Sequence, residues 1–136
     1  MKKLLLLFFV IIILQSCNIL NFNNCKKYHT DSIVFRAHSE AMSTNIQFAE
    51  EKALLLAKKV IAEDIDNYII EKCNYKSFLS DSEFEDKITI ARNTILSDIK
   101  IICSKTMKKG EMYKSFIAVE ISKEDVDKEI SGRLNK

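Results

Sequence analysis

The chain has 136 residues, enough for one domain of ordinary size after removal of a targeting segment. Its formal charge of +2 comes from Lys2 and Lys3, and the remainder carries 19 basic and 19 acidic residues. No basic run is longer than a pair, so the sequence lacks the concentration of positive charge that is typical of nucleic-acid-binding proteins. The chain has no proline and only two glycines, which indicates long regular elements with few tight turns.

Residues 1–16 have the pattern of a secretory signal peptide. Lys2 and Lys3 precede an apolar run from Leu4 to Leu14, and small or polar residues follow. The run has eleven residues, whereas a membrane-spanning helix needs about 20. We therefore expect this segment to be removed and not to stay as a transmembrane anchor.

The residues at the end of this segment resemble the bacterial lipobox. Leu14 lies three residues before Cys17, and Ser16 is the small residue directly before it. Gln15 departs from the commonest pattern, which has Ala, Ser or Thr there. The resemblance implies cleavage before Cys17, diacylglycerol on its sulfur and, usually, acylation of the new N-terminus. The alternative is an ordinary signal peptide with a chance cysteine.

Cleavage before Cys17 leaves 120 of the 136 residues. Residues 17–31 show no clear period and are predicted to be a lipidated tether. The pair Lys26 and Lys27 is interpreted as solvated linker charge, although contact with anionic lipid headgroups is the alternative. Residues 32–136 are predicted to form a single domain.

The domain begins with an alternating pattern and then changes to a helical one. Residues 32–41 predict a strand whose buried face carries Ile33, Phe35 and Ala37. Thr44 and Gln47 are predicted to form a capping box. An amphipathic helix of about 28 residues follows, ending near residues 73–75, and its apolar face is assigned to Ile46, Ala49, Ala53, Leu56, Ala57, Val60, Ile61, Ile65, Tyr68 and Ile69.

The second half of the domain predicts a helix, a hairpin and a last helix. Ser80 and Glu83 form a second capping box, and the helix that follows is predicted to end near Ile99 with its apolar face formed by Phe84, Ile88, Ala91, Ile95 and Ile99. Strands are predicted over 100–107 and 112–122, with Gly110 in the turn between them. A short helix over 123–131 is predicted to end at Gly132. The order β-α-α-β-β-α predicts an α+β fold, in which helices cover one face of a three-stranded antiparallel sheet and the first strand pairs with the last.

Three cysteines remain after Cys17, an odd number that permits at most one intramolecular disulfide. An exported compartment allows such a bond. Cys73 falls in the predicted long helix and Cys103 in a predicted strand, where free cysteines commonly pack as small apolar residues. For Cys25, Cys73 and Cys103 we therefore favour buried free thiols over a disulfide.

With these elements placed, residues 33–122 resemble the Lpp-twenty family of small bacterial lipoproteins. The resemblance depends on residues 35–37 (FRA), residues 48–53 (FAEEKA), residues 101–103 (IIC) and residues 113–122 (YKSFIAVEIS), in that order behind a lipobox. The family often has glycines after the first strand, where this chain has residues 38–41 (HSEA). The resemblance implies a helix packed on a small antiparallel sheet, and it implies no catalytic residues.

The chain shows little of the usual chemistry of a catalytic or metal site. His29, Asp31, His38 and Glu40 match no known metal-ligand spacing, so we predict solvated polar residues and no metal. Cys103 in an apolar strand is expected to be an unreactive thiol. Glycine-rich phosphate loops, GxSxG and HExxH are all missing from the sequence. We predict a protein that is not an enzyme and that needs no cofactor.

Two functions fit these observations. The first is a lipid-anchored, periplasm-facing protein, placed at the outer membrane, that acts as a structural or protein-interaction module through an envelope partner or self-association, because a short sheet has edge strands that invite pairing. The alternative is a periplasmic carrier of a small apolar ligand. For the carrier, Phe116 and Ala118 are the relevant positions, since they lie on the strand face opposite the one formed by Tyr113, Ser115, Ile117, Val119 and Ile121.

Overall fold

A computed structural model describes residues 24–72 and 82–134 of the chain. A 3-10 turn, Asn24–Lys27, precedes three strands and three helices. These six elements follow one another in the order predicted from the sequence: β1 Val34–Ser43, α1 Ile46–Lys72, α2 Ser82–Ser97, β2 Lys100–Lys109, β3 Met112–Ser122 and α3 Lys123–Leu134. The predicted signal peptide, the lipobox, Cys73 and the proposed cap at Ser80 lie outside the described residues.

The three strands form one antiparallel sheet in the order β1-β3-β2, so the predicted α+β fold is confirmed. The first strand pairs with the last, as expected, and β3 is central while β1 and β2 are the edges. Gly110 has a φ of 65° in the tight turn between β2 and β3. This left-handed conformation favours glycine because it lacks a Cβ.

Helix α1 packs on one face of the sheet through every fourth residue. Its buried side chains are small in the first half and large in the second: Ala49, Ala53, Ala57, Ile61, Ile65 and Ile69. All of them except Ala49 form one core cluster with strand residues that alternate along β1 and β3, namely Phe35, Ala37, Ile117, Val119 and Ile121. The alanines let the helix backbone approach β1, and the hydroxyl of Ser39 donates a hydrogen bond to the carbonyl oxygen of Ala53.

The predicted apolar face of this helix is right for those six residues but too wide. Ile46, Leu56 and Val60 are 48%, 39% and 44% exposed. A spacing of four residues rotates the contact by about 40° per step around an α-helix. The buried stripe therefore winds around α1 as the helix crosses the twisted sheet, and apolar residues beside the stripe stay in solvent.

Three local predictions are wrong. Asn45, and not Thr44, caps α1, because its side-chain Oδ1 accepts the backbone N–H of Phe48 at 3.2 Å. Ile33 precedes β1 and is 72% exposed. Gly132 does not end the last helix, since α3 continues to Leu134.

Helices α2 and α3 pack against each other and complete the helical layer. Ala91 and Ile95 of α2 are buried, as are Val126 and Ile130 of α3. The Arg92 guanidinium lies 2.8 Å from a carboxylate oxygen of Asp66 on α1. Of the other residues predicted for the α2 face, Ile88 and Ile99 are partly buried against the core, and the side chain of Phe84 is outside the described part.

Candidate functional site

The N-terminal segment, residues 24–31, lies on the sheet face opposite α1. A disulfide joins Cys25 in this segment to Cys103 in β2, two cysteines that are 78 residues apart in the sequence. The interpretation of these cysteines as free thiols is therefore wrong. The sequence pattern could not show the pairing, because nothing local indicates that the segment folds back across the sheet.

A second, smaller core forms beneath this segment. Cys25, Phe116 and Ala118 are buried together, with partly buried apolar neighbours that come from the segment and from β2: Tyr28, Ile102, Cys103 and Met107. Both faces of β3 are consequently buried over residues 115–119. Phe116 and Ala118, the positions relevant to a ligand carrier, are covered by the protein's own N-terminal segment.

Polar contacts also fix the segment along the edge of β1. The Thr30 hydroxyl accepts the backbone N–H of Arg36 at 2.9 Å and donates to the carbonyl of the same residue at 3.1 Å. Asp31 Oδ1 accepts the backbone N–H groups of Ile33 and Val34 at 2.8 and 3.0 Å. These two donors, and then Arg36, hold the pKa of the Asp31 carboxyl below its ordinary value.

Arg36 links this segment to the central strand. Its Nη1 lies 2.8 Å from Asp31 Oδ2, and its Nε donates to Glu120 Oε2 at 2.8 Å. The hydrogen bond to Glu120 raises the pKa of the Arg36 guanidinium, and the charge of Asp31 adds to the effect. Residues 24–31 therefore belong to the folded domain, and the prediction that the tether extends to residue 31 is wrong for them.

The four residues considered as metal ligands have other partners. The rings of His29 and His38 meet edge to face with centroids 5.8 Å apart. Glu40 is paired with Lys114 at 2.8 Å and Lys26 at 3.3 Å, and its pKa is lowered, mainly by the hydrogen bond from Lys114. Within the described residues, no group of three or more potential ligands is close enough to hold a metal ion.

Sequence reasoning missed a polar row beneath α1. Ser115 is fully buried, and its hydroxyl lies 3.1 Å from that of Thr106, which donates to Glu50 Oε1 at 2.8 Å. The row joins β3, β2 and α1. The available signal was the alternation in β3, which places Ser115 among the apolar residues of the helix-facing side. Cys103, considered as a nucleophile, has no thiol because it is in the disulfide.

Helix α1 exposes several large apolar side chains. Phe48, Leu55 and Leu56 are 63%, 69% and 39% exposed, and Val60 is 44% exposed. Phe48, Leu56 and Val60 lie in one row at multiples of four residues, with the exposed Lys52 between Phe48 and Leu56. The row continues to Asp64, which lies 3.5 Å from the Thr30 hydroxyl at the β1 edge. We call these four apolar residues, Phe48, Leu55, Leu56 and Val60, the α1 apolar patch.

In the part of the chain that the structure describes, none of the helices combines the length and the apolar character needed to span a membrane. A comparison of the chain with protein-family models finds no match, and a comparison with curated proteins also finds none. The resemblance to the Lpp-twenty family therefore stays a proposal, based on the sequence pieces given above.

Proposed function

We propose that this protein is a lipid-anchored component of a bacterial cell envelope and acts as a structural or protein-interaction module without catalysis. The observation that carries the proposal is the disulfide between Cys25 and Cys103. Structural disulfides persist in oxidising compartments outside the cytoplasm and are rare within it. The bond thus supports the export that the N-terminal sequence predicts.

The position of the disulfide also suits an anchor at Cys17. Cys25 follows Cys17 by eight residues, so the lipidated cysteine lies at most about 29 Å from the start of the folded domain. A single acyl chain binds a membrane only marginally, whereas two or three chains hold a protein there stably. We place the domain on the periplasmic side of the outer membrane.

The α1 apolar patch supports a role in binding another protein or a second copy. Single exposed apolar residues are ordinary on protein surfaces, but adjoining ones, such as Leu56 and Val60 four residues apart on the helix, often mark an interaction site. The row of Leu56 and Val60 continues to Asp64 beside β1, an edge strand whose outer side pairs with no other described strand. Edge strands and adjacent apolar helices are surfaces that partner chains use.

The carrier alternative has less support from this geometry. A carrier would need an apolar site accessible to its ligand, and Phe116 and Ala118 are 5% and 0% exposed. The N-terminal segment that covers them is fastened by the disulfide. An interaction module requires no opening of this covered face.

Cys17→Ser in the full chain tests the anchor. We expect a protein that carries no lipid, is not cleaved at this site and no longer partitions into membranes as the parent does. The intact mass of the parent from its native membrane should start at Cys17 and include diacylglycerol and acyl groups. Unchanged membrane partitioning of the variant would contradict the anchor.

A photo-crosslinking residue placed at Leu56 tests the interaction role in cells. We expect one discrete crosslinked species, which contains either an envelope protein or a second copy. The matched control is the same residue at Glu63, which is exposed on α1 outside the patch. Equal crosslinking at the two positions, or none at Leu56, would refute the patch as the binding surface.

A further inference from the structure

The sheet face opposite α1 carries the N-terminal segment but no described helix. We call this face, with the segment on it, the open sheet face, and it is rich in positive charge. The strand register shows which lysines lie on this face, because paired residues of neighbouring strands share a face. Lys105 is paired with Phe116, Lys109 with Met112 and Lys100 with Glu120. Together with the N-terminal segment, seven cationic side chains occupy this face against three carboxylates. The cations are Lys26, Lys27, Arg36, Lys100, Lys105, Lys109 and Lys114, and the carboxylates are Asp31, Glu40 and Glu120.

The helical layer has the opposite balance. Helices α1, α2 and α3 together contain thirteen acidic and nine basic residues. The chain after the predicted signal peptide has equal numbers of acidic and basic residues, so its charge is neutral in total but divided between two layers. A division of this kind orients a protein near a charged surface although its net charge is zero.

Each carboxylate of the open sheet face is paired with a cation of the same face. Glu40 is paired with Lys114 and Lys26, whereas Asp31 and Glu120 share Arg36. Lys27, two residues after Cys25, and Lys109, next to the hairpin turn, are both exposed. The outward field of this face is therefore positive.

The chain also enters the domain on this face, because Cys25 is bonded to Cys103 there. Cys17 precedes Cys25 by eight residues, which can span no more than about 29 Å. A lipid on Cys17 would thus hold the cationic side chains close to the membrane surface. Tethering raises their local concentration, so weak individual contacts suffice for docking.

From these observations we propose that the open sheet face docks on anionic phospholipid headgroups of the membrane that holds the anchor. The lysine ammonium groups contact the lipid phosphates, and the helical layer with the α1 apolar patch is directed away from the bilayer toward a partner. This inference deepens the proposed function and depends on the lipid anchor for its geometry.

Vesicle binding of the unlipidated chain from Asn18, which contains every described element, tests the surface independently of the anchor. We expect binding to vesicles of phosphatidylcholine with phosphatidylglycerol at 20 mM salt, little binding to phosphatidylcholine alone, and loss of binding at 500 mM salt. The double variant Lys27→Glu with Lys109→Glu should bind at least about tenfold more weakly, since each lysine near an anionic surface contributes roughly fivefold.

The matched control reverses two exposed lysines of α1, Lys52→Glu with Lys59→Glu, and should change binding less than twofold. An equal loss in both double variants, or binding that salt and lipid charge do not affect, would overturn the proposal. Thermal unfolding of each variant establishes that it is folded before its binding is compared.

Lysine labelling of the native lipidated protein in the same vesicles is the second measurement. Amine acetylation of Lys27 and Lys109 should slow at least threefold on anionic vesicles relative to neutral ones, while Lys52 and Lys59 react equally on both. Equal labelling of all four would overturn the docked orientation. If the intact mass shows no lipid on Cys17, the proposed function fails, and the vesicle experiment still decides whether the face binds anionic lipid.

Discussion

Replacement of Cys25 and Cys103 by alanine removes the covalent closure between the N-terminal segment and β2. The closed loop spans 78 residues, and the chain-entropy relation then gives a stabilisation of about 4.5 kcal/mol at 25 °C. Measured effects are commonly about 2–4 kcal/mol, because denatured chains retain structure. This is a large part of the roughly 5–15 kcal/mol that stabilises an ordinary domain.

Urea unfolding of the chain from Asn18 measures this contribution. We expect the double variant to lose at least about 2 kcal/mol and its melting temperature to fall by about 10 °C or more. Reductant should destabilise the parent by a similar amount and leave the double variant unchanged. The matched control is Cys73→Ala, which should retain the disulfide by mass and its response to reductant. A loss below about 1 kcal/mol, or a parent that ignores reductant, would refute the reasoning.

Three further predictions address the core, the salt bridges and the glycines. Ala53→Asp should destabilise the domain by more than about 4 kcal/mol because it buries a charge against the sheet. Leu55→Asp, at a position that is 69% exposed, should destabilise it by less than about 1 kcal/mol. Similar urea midpoints of the two variants would contradict the assigned helix face. The pKa of Glu40 is lowered, so the stability that the ionised carboxylate contributes is present above its ordinary pKa and is lost as the pH falls. Between pH 6 and pH 3 the parent should therefore lose more stability than Glu40→Gln, by less than about 1 kcal/mol for such an exposed pair. Equal losses of the two proteins in thermal unfolding would contradict the pairing with Lys114. Gly110→Ala should destabilise the domain by about 1 kcal/mol because the φ of Gly110 is 65°. Gly132→Ala should stabilise the domain by about 0.5 kcal/mol, because Gly132 is helical and a Cβ there meets no atom within 4 Å. Changes in stability of the same sign would refute these assignments.

Residue periodicity was sufficient to predict the elements and their type. Long stretches with a helical or an alternating repeat identified α1, β3 and the hairpin at Gly110 with bounds close to those observed. These features depend on residues that are close together in the sequence, so the sequence pattern alone is enough to predict them. Local competition between adjacent polar residues was harder to judge, and Asn45 caps α1 where Thr44 was expected.

Among the features related to function, the sequence directly indicates only the lipobox. Leu14 to Cys17 form a contiguous motif, so the lipidation hypothesis requires no tertiary structure. The partner of Cys25, in contrast, is 78 residues away, and a loop of that length constrains no local pattern. The α1 apolar patch could not be separated from the core by periodicity, because both consist of the same residue types on one helix.

The sequence by itself therefore determined the order of elements and the antiparallel hairpin, and it is also the source of the prediction of export and lipidation. Only the tertiary structure decided that residues 24–31 belong to the domain, that they cover Phe116, and that cations gather on one face of the sheet. The physical reason is the range of the interactions. Helices, turns and signal motifs are set by residues close in sequence, whereas the disulfide, the second core and the division of charge arise when distant segments are brought together by folding.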